Sequence, residues 1–434
     1  MGYAPAVIAL AFVAFGLVSG RLSRSALSGT MLFAAFGLLI GPEVLGLADL
    51  SGFAGQSDLV NLILTSTLVI VLFTDASAIC SARWHDDVIP ARLLGVGLPL
   101  TVIAGWATAF VLFTDLTGWE AAVLGTMLAP TDAALGKAVV SNERVPLRIR
   151  QALNIESGLN DGVALPLFVV FVEAGTVSEQ SLGFGDLVRE LVAEVGIAVA
   201  VGAAVGALGV AAIRWAVARG FAERQWLEIG VVALAGLAYT VAAPLGGSGF
   251  IAAWVAGFAF GRLSARSFER AGRSVIDSGR DLHEFGELSG DWLTMLSFLL
   301  FGIIVGPTLA DITWTTVLYA VLSLTVLRMV PVALSLVGSG LRVGSLLYIG
   351  WFGPRGLATI ILAIEIVDRS ELAGASTIAD VALSTVALSV VAHGLTAWWG
   401  SNAYADYVER HRGPDEMLEH RPGPDVRMRR RVSH

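Results

Sequence analysis

Charge is scarce in this 434-residue chain. Only 15% of its residues are Asp, Glu, Lys or Arg, against about 25% in soluble domains. Apolar residues take their place: 55% of the chain is hydrophobic and the mean hydropathy is +0.74. That balance excludes a water-soluble globular domain and reads as a polytopic membrane protein. Cysteine is nearly absent. Cys80 stands alone, so an intrachain disulfide is excluded and the redox compartment cannot be read from cysteine usage. The first apolar run starts near Tyr3 with no basic stretch before it, which reads as a first span and not as a cleaved signal peptide. Met1-Gly2 lacks the Ser or Thr four residues beyond the glycine that myristoylation requires. The tail from about residue 405 is charged and proline-bearing, and reads as mostly disordered. It is too short for a regulatory nucleotide-binding domain, and nothing in the chain suggests a nucleic-acid partner or a soluble domain.

A membrane span needs about 20 apolar residues. On that ruler thirteen segments stand out: 3–20, 26–41, 58–80, 93–113, 118–140, 149–174, 187–213, 225–243, 247–262, 286–307, 311–337, 343–366 and 376–400. Basic residues cluster in cytoplasmic loops, and they sort cleanly on this count. Arg21 and Arg24, Arg83 and Arg92, Lys137 to Arg150, Arg214 to Arg224, Arg262 to Arg280, Arg342 and the tail arginines all fall on one side. Among the 28 Lys and Arg residues the exceptions are Arg189 and Arg369, on the other side, and Arg328 and Arg355, inside spans. The opposite loops are acidic, with Glu43, Asp115, Glu173, Asp311 and Asp368. This places the N-terminus outside and the C-terminus in the cytoplasm. The arginine-rich connection 262–285 reads equally as a short helix on the anionic inner leaflet or as a solvated loop.

Against this apolar background one stretch is anomalous: Glu156-Ser157-Gly158-Leu159-Asn160-Asp161-Gly162, inside the sixth span. An ionised carboxylate at the bilayer centre costs about 3 kcal/mol even on the lenient insertion scale. Such groups persist where they are paired, hydrated or used. On a helix Ser157 and Asp161 are four residues apart and share a face, as do Glu156 and Asn160. A second anomaly, Ala129-Pro130-Thr131-Asp132, breaks the fifth span, because Pro130 removes a backbone donor. Irregular backbone at membrane depth survives where it is buried in protein or lines a cavity. Carboxylates, hydroxyls and freed carbonyl oxygens are the ligands of a hard monovalent cation or a proton. Asp161, Asp132, Thr131, Ser157 and Glu156 are therefore the candidate cation-binding residues, with Asp161 the proton carrier. Asn160 cannot take up a proton in the working pH range, and if it occupies a second carboxylate's place the exchange carries one fewer charge. Glu156 needs a cationic partner, and the embedded candidates are Arg328 and Arg355.

Other features are weaker. The twelfth span is broken at Gly353-Pro354-Arg355-Gly356, so each half of the chain carries one interrupted segment, a pointer to a transporter site. Six spans on each side of the seventh allow two inverted repeats joined by a linker helix. Gly202 and Gly206, and Gly257 and Gly261, read as close-packing pairs. Asp75, toward the end of the third span, reads as an ion-attracting funnel group or as a solvated helix end. His393 reads as a hydrogen-bonded packing residue in preference to a pH sensor.

Pro130-Thr131-Asp132, Glu156 through Gly162, Gly353 through Gly356, Leu72-Phe73-Thr74-Asp75 and Gly247 through Ala252 together resemble the NhaP and NHE branch of the monovalent cation:proton antiporters. The resemblance runs in family order through nearly the whole chain, and the Asn160-Asp161 pair is its most specific element. It implies an all-α membrane homodimer with no cofactor, whose substrates are a monovalent cation and a proton. It implies a transmembrane domain over 1–404, with a scaffold from spans in 3–80 and 225–307. A moving core comes from spans in 93–174 and 311–400, a linker span covers 187–213, and a short tail covers 405–434. It implies that Asp161 binds the cation and the proton in turn, assisted by Asp132, Ser157 and the Thr131 carbonyl, while Glu156 pairs with Arg328. Electrogenic relatives carry Asp-Asp in place of Asn160-Asp161 and a lysine in place of Arg328, so electroneutral exchange is expected. Three other readings compete. A K+/H+ antiporter of the same fold is one. A channel is disfavoured because no filter loop is present. An intramembrane aspartyl protease is disfavoured because the Gly-x-Gly-Asp pattern is absent.

Overall fold

The computed structural model describes residues 4–22, 25, 27–48, 57–79, 88–132, 134–176, 184–271, 284–369, 372–411 and Glu419. Its regular structure is helical throughout the described residues. In chain order the helices are α1 (Ala4–Leu22), α2 (Gly29–Ile40), α3 (Ser57–Ile79), α4 (Val88–Arg92), α5 (Leu98–Leu112), α6 (Gly118–Met127), α7 (Lys137–Val140), α8 (Leu147–Thr176) and α9 (Phe184–Ala218). They continue as α10 (Arg224–Ala242), α11 (Gly249–Ala271), α12 (Glu284–Ala310), α13 (Trp314–Leu324), α14 (Val326–Ser335), α15 (Val343–Trp351), α16 (Leu357–Arg369) and α17 (Ala375–Arg410). A π-helical turn, Leu93–Gly97, joins α4 to α5. Among the described residues nine helical stretches are long and apolar enough to cross a membrane. The remaining expected spans fall on the shorter helices α2 and α11 and on two interrupted segments, α6–α7 and α15–α16.

Helix starts follow their caps. Ser28 caps α2 through the amide of Met31, and Thr313 caps α13 through that of Thr316. Thr117 and Glu120 form a reciprocal capping box at α6. Glu120 does more than the box requires. It is buried, and its second carboxylate oxygen accepts from the Gly374 amide at 2.6 Å, at the start of α17. One side chain thus satisfies orphan donors of two helices.

Close helix contacts are made at glycines. An added Cβ at Gly202 or Gly206 of α9 would lie 2.4 or 2.5 Å from the carbonyl oxygens of Ala252 and Ala256 in α11. At Gly257 or Gly261 it would lie 2.2 Å from those of Phe73 and Ser77 in α3. Both glycine pairs seen in the sequence are packing notches, and they seat α11 between α3 and α9. Gly37 of α2 and Gly302 of α12 form a third notch of the same kind.

Three boundaries differ from expectation. The fourth span starts at Val88, ahead of 93, because the π turn carries α4 into α5 without a break. The eleventh, expected as one run over 311–337, is interrupted at Thr325 (φ −115°, ψ −94°) between α13 and α14. The last helix runs to Arg410, past the expected limit of 404. Tyr404, Ala405 and Val408 keep its apolar face buried there, with Tyr404 stacked on Tyr348 at 4.1 Å. Glu419 is buried as well. Its carboxylate accepts from the Arg342 amide at 3.1 Å and the Ser345 hydroxyl at 2.8 Å, at the start of α15. The rest of the tail, Cys80 and most of the arginine-rich connection after Ala271 lie outside the described residues.

Candidate functional site

The two interrupted segments meet at their breaks. α6 ends at Met127, and 128–136 run without α-helix before α7. α15 ends at Trp351, and 352–356 run without regular structure before α16. The breaks are tied by backbone and by one charged side chain from each. The Asp132 amide donates to the Pro354 carbonyl at 2.8 Å. The Asp132 carboxylate accepts from the amides of Ala134 and Leu357, both at 2.6 Å. It thereby caps α16, whose N-terminal amides and dipole favour an anion. Arg355 lies opposite in charge and function. Fully buried, it donates to the carbonyls of Pro130 at 3.1 Å and Gly353 at 3.2 Å, at the C-terminal ends of α6 and α15. Gly356 makes the approach possible: a Cβ there would lie 1.9 Å from the Asp132 carboxylate.

Segment α15–α16 is braced from behind by α17. The Arg355 amide donates to the Ser389 hydroxyl at 2.7 Å, which lies 3.1 Å from Nδ1 of His393. Nε2 of His393 lies 2.9 Å from the Trp351 carbonyl. With Ser389 accepting from Arg355, its hydroxyl proton points to Nδ1, so the imidazole donates from Nε2. His393 is a buried packing residue that bridges the break, as its sequence setting suggested.

α8 passes beside the crossing and presents two faces. Ser157 and Asp161, one turn apart, line a cavity together with Asp132, Thr131 and Pro130 of the first break, Gly356 through Thr359 of the second segment, Leu68, Val71 and Asp75 of α3, and Thr294 of α12. Its empty volume is about 480 Å³, including the mouth. Asp161 is part-exposed on this cavity. The neighbouring face, carrying Glu156 and Asn160, turns inward. Asn160 is 1% exposed, and its Nδ2 donates to the Thr131 carbonyl at 3.0 Å and the Thr131 hydroxyl at 2.9 Å. An aspartate here would set a carboxylate oxygen against those oxygens, so the asparagine is what lets α8 clasp the broken segment. Thr131's carbonyl is therefore engaged, while its hydroxyl also lies 3.0 Å from that of Ser157.

Glu156 does not reach the cavity expected of a cation ligand. It is 2% exposed and pairs with Arg328, itself 1% exposed, at 2.5 Å. The reason is helical geometry, since residue 156 points about 100° away from 157. The interruption at Thr325 sets Arg328 in the first turn of α14. Glu156 Oε2 and Arg328 Nη2 have no hydrogen-bond partner among the described residues, as is true of Arg355 Nη2.

Asp75, Asp132 and Asp161 thus share one cavity, with Ser157 and Thr131 as neutral oxygen donors. Oxygen donors with one flexible carboxylate suit a hard monovalent cation, and the same carboxylate suits a proton. Sequence reasoning missed Glu120, Thr294 and Trp254. The indole of Trp254 donates to the Gly158 carbonyl at 3.3 Å, next to the site. At the far end of the same half-bundle Arg144 is held above its ordinary value by hydrogen bonding and attraction to Asp406. That pair is exposed and adds little to stability.

Comparison with known proteins identifies the family and the fold. The family model described as sodium/hydrogen exchanger, transmembrane, matches residues 7–399. The K(+)/H(+) antiporter NhaP of Alkalimonas amylolytica is 28% identical over 365 residues, covering 82% of this chain and 59% of that protein. The Na(+)/H(+) antiporter 2 of Zygosaccharomyces rouxii is 26% identical, covering 82% of this chain and 45% of its own length. The chain thus spans about half to three-fifths of these curated relatives. The sodium proton antiporter MjNhaP1 from Methanocaldococcus jannaschii, solved at pH 8, superposes with a TM-score of 0.68 at 20% identity, over 92% of this chain and 97% of that one.

Proposed function

The chain belongs to the sodium/hydrogen exchanger family, and from that premise we propose that it exchanges a monovalent cation for a proton across the cell membrane, one for one. The carrying observation is the division of labour on α8. Asp161 and Ser157 face the cavity, while Asn160 and Glu156 are committed to Thr131 and Arg328. Asp161 is then the group that holds cation and proton in turn. Glu156 and Arg328 travel as a neutral pair, and Asp132 is held by two amides at the crossing. Either loaded form of the carrier has the same charge.

Sodium is the proposed cation, with lithium and potassium as alternatives. Potassium has support from relatives named K(+)/H(+) antiporters, in Alkalimonas amylolytica and in Shewanella baltica. Movement is of the elevator type. α4 to α8 and α13 to α17 form the core, α1 to α3 with α10 to α12 form the scaffold of a homodimer, and α9 links them. The N-terminus lies outside. Proteoliposomes carrying an imposed pH gradient and a proton-sensitive dye test this directly. Added sodium, lithium or potassium should dissipate the gradient in a saturable way. Cation-selective single-channel currents without coupled proton flux would overturn the reading in favour of a channel.

A further inference from the structure

Trp254 has no part in the site chemistry, yet it touches the site's helix at its most sensitive point. It stands on α11, in a stretch locked on both sides. Ala252 and Ala256 meet the glycines of α9, and Gly257 and Gly261 meet the backbone of α3. The indole is stacked on Phe258 at 5.4 Å and 16°. Both rings pack against Ile155 and Leu159 of α8. The indole nitrogen donates to the Gly158 carbonyl, and the ring plane covers Gly162. A Cβ at Gly162 would lie 2.3 Å from Cε2 and from Cζ2 of the indole and 2.7 Å from Cδ2. These are atoms of a rigid fused ring, not the tip of a flexible chain, so an alanine would force α8 and α11 apart by about 1 Å to reach ordinary contact. Gly162 is the residue next to Asp161.

We propose that Trp254 is a positioning residue for exchange: a fixed aromatic plate on α11 against which the glycine-bearing face of α8 seats and slides while Asp161 faces the cavity. This rests on the exchange reading above. In an α-helix the carbonyl of Gly158 points along the axis to the amide of Gly162, four residues on, so the indole N–H and the ring grip α8 at one point, beside Asp161. A side chain at 162 obstructs that passage without removing any ligand from the cavity.

The test is a double-mutant cycle in proteoliposomes. Gly162→Ala should lower the maximal exchange rate at least tenfold and leave the half-saturating cation concentration within twofold. Trp254→Leu alone should lower the maximal rate about threefold to fivefold with the half-saturating cation concentration unchanged, and the double variant should match it. A wild-type rate in Gly162→Ala or in Trp254→Leu, or a double variant as slow as Gly162→Ala, would overturn the proposal. A raised half-saturating concentration at full maximal rate would overturn it too, by placing the effect in binding. If Gly162→Ala does not fold, the double variant carries the test: folded and active supports the plate, folded and inactive refutes it. Melting temperature in detergent gives a readout independent of transport. Gly162→Ala should lower it in the wild-type background and leave it unchanged in the Trp254→Leu background; equal losses in both would refute the contact. Wild-type vesicles run in parallel report separately on whether exchange occurs at all.

Discussion

At the scale of single residues, α8 separates a working carboxylate from a structural one by a 100° turn of the helix. Asp161→Asn is expected to abolish exchange while leaving expression and melting behaviour intact, because among the described residues the Asp161 side chain faces the cavity and is tied to no other element. Residual exchange above a tenth of wild type would remove Asp161 from the carrier role. In the wild type, proton and cation compete for that one group. The half-saturating cation concentration should therefore rise as pH falls, with no change in maximal rate. Glu156 stands in the opposite position. Arg328→Ala strands it, buried and unpaired, and should cost about 3–5 kcal/mol of stability. Thermal melting in detergent checks this, and an unchanged curve would refute the pairing. The sequence carried most of this. Ser157 with Asp161, and Glu156 with Asn160, are face-sharing pairs by spacing alone. It did not carry what Asn160 bonds to, because that depends on where an extended break of another segment passes.

Elements show the same limit. Pro130 and Pro354 announced the two interruptions, since proline cannot continue a helix ladder. The interruption at Thr325 was silent, having no Gly or Pro at it. Glu120 was silent too: its capping box with Thr117 is local, but its second partner lies 254 residues on. Gly356 is the element-scale counterpart of Asp132. Gly356→Ala puts a methyl where the Asp132 carboxylate sits, so α16 loses its cap. A lost N-cap costs about 0.5–2 kcal/mol, and the displaced carboxylate should add to that. The variant is expected to melt lower than Asp132→Asn, which keeps an acceptor in place. The reverse order would mean the crossing tolerates the methyl.

For the whole molecule, the long apolar segments carried the all-helical membrane architecture, because a bilayer constrains the length of a span more tightly than a core constrains sequence. What sequence could not supply was which helices lie face to face, which is decided by notches such as Gly202 and Gly206. One molecular-scale property follows from the site's charge balance. A membrane potential acts on a moving charge with about 2.3 kcal/mol per 100 mV. A valinomycin-clamped potential of either sign should therefore leave the equilibrium cation and proton gradients locked one to one. A voltage-dependent shift in that equilibrium would show that more than one proton moves per cation.

The reciprocal capping at the crossing has a consequence for how the protein is made. Asp132 receives its second partner from Leu357, 225 residues later in the chain, and the Pro130 carbonyl receives Arg355 at the same separation. At about 5–20 residues per second of synthesis, the first broken segment waits roughly ten to forty-five seconds with the Asp132 carboxylate short of the Leu357 amide and the Pro130 carbonyl short of Arg355. During that interval the nascent first half carries a polar wound that only the second half closes. Variants at Gly356 or Arg355 leave that opening in the finished chain.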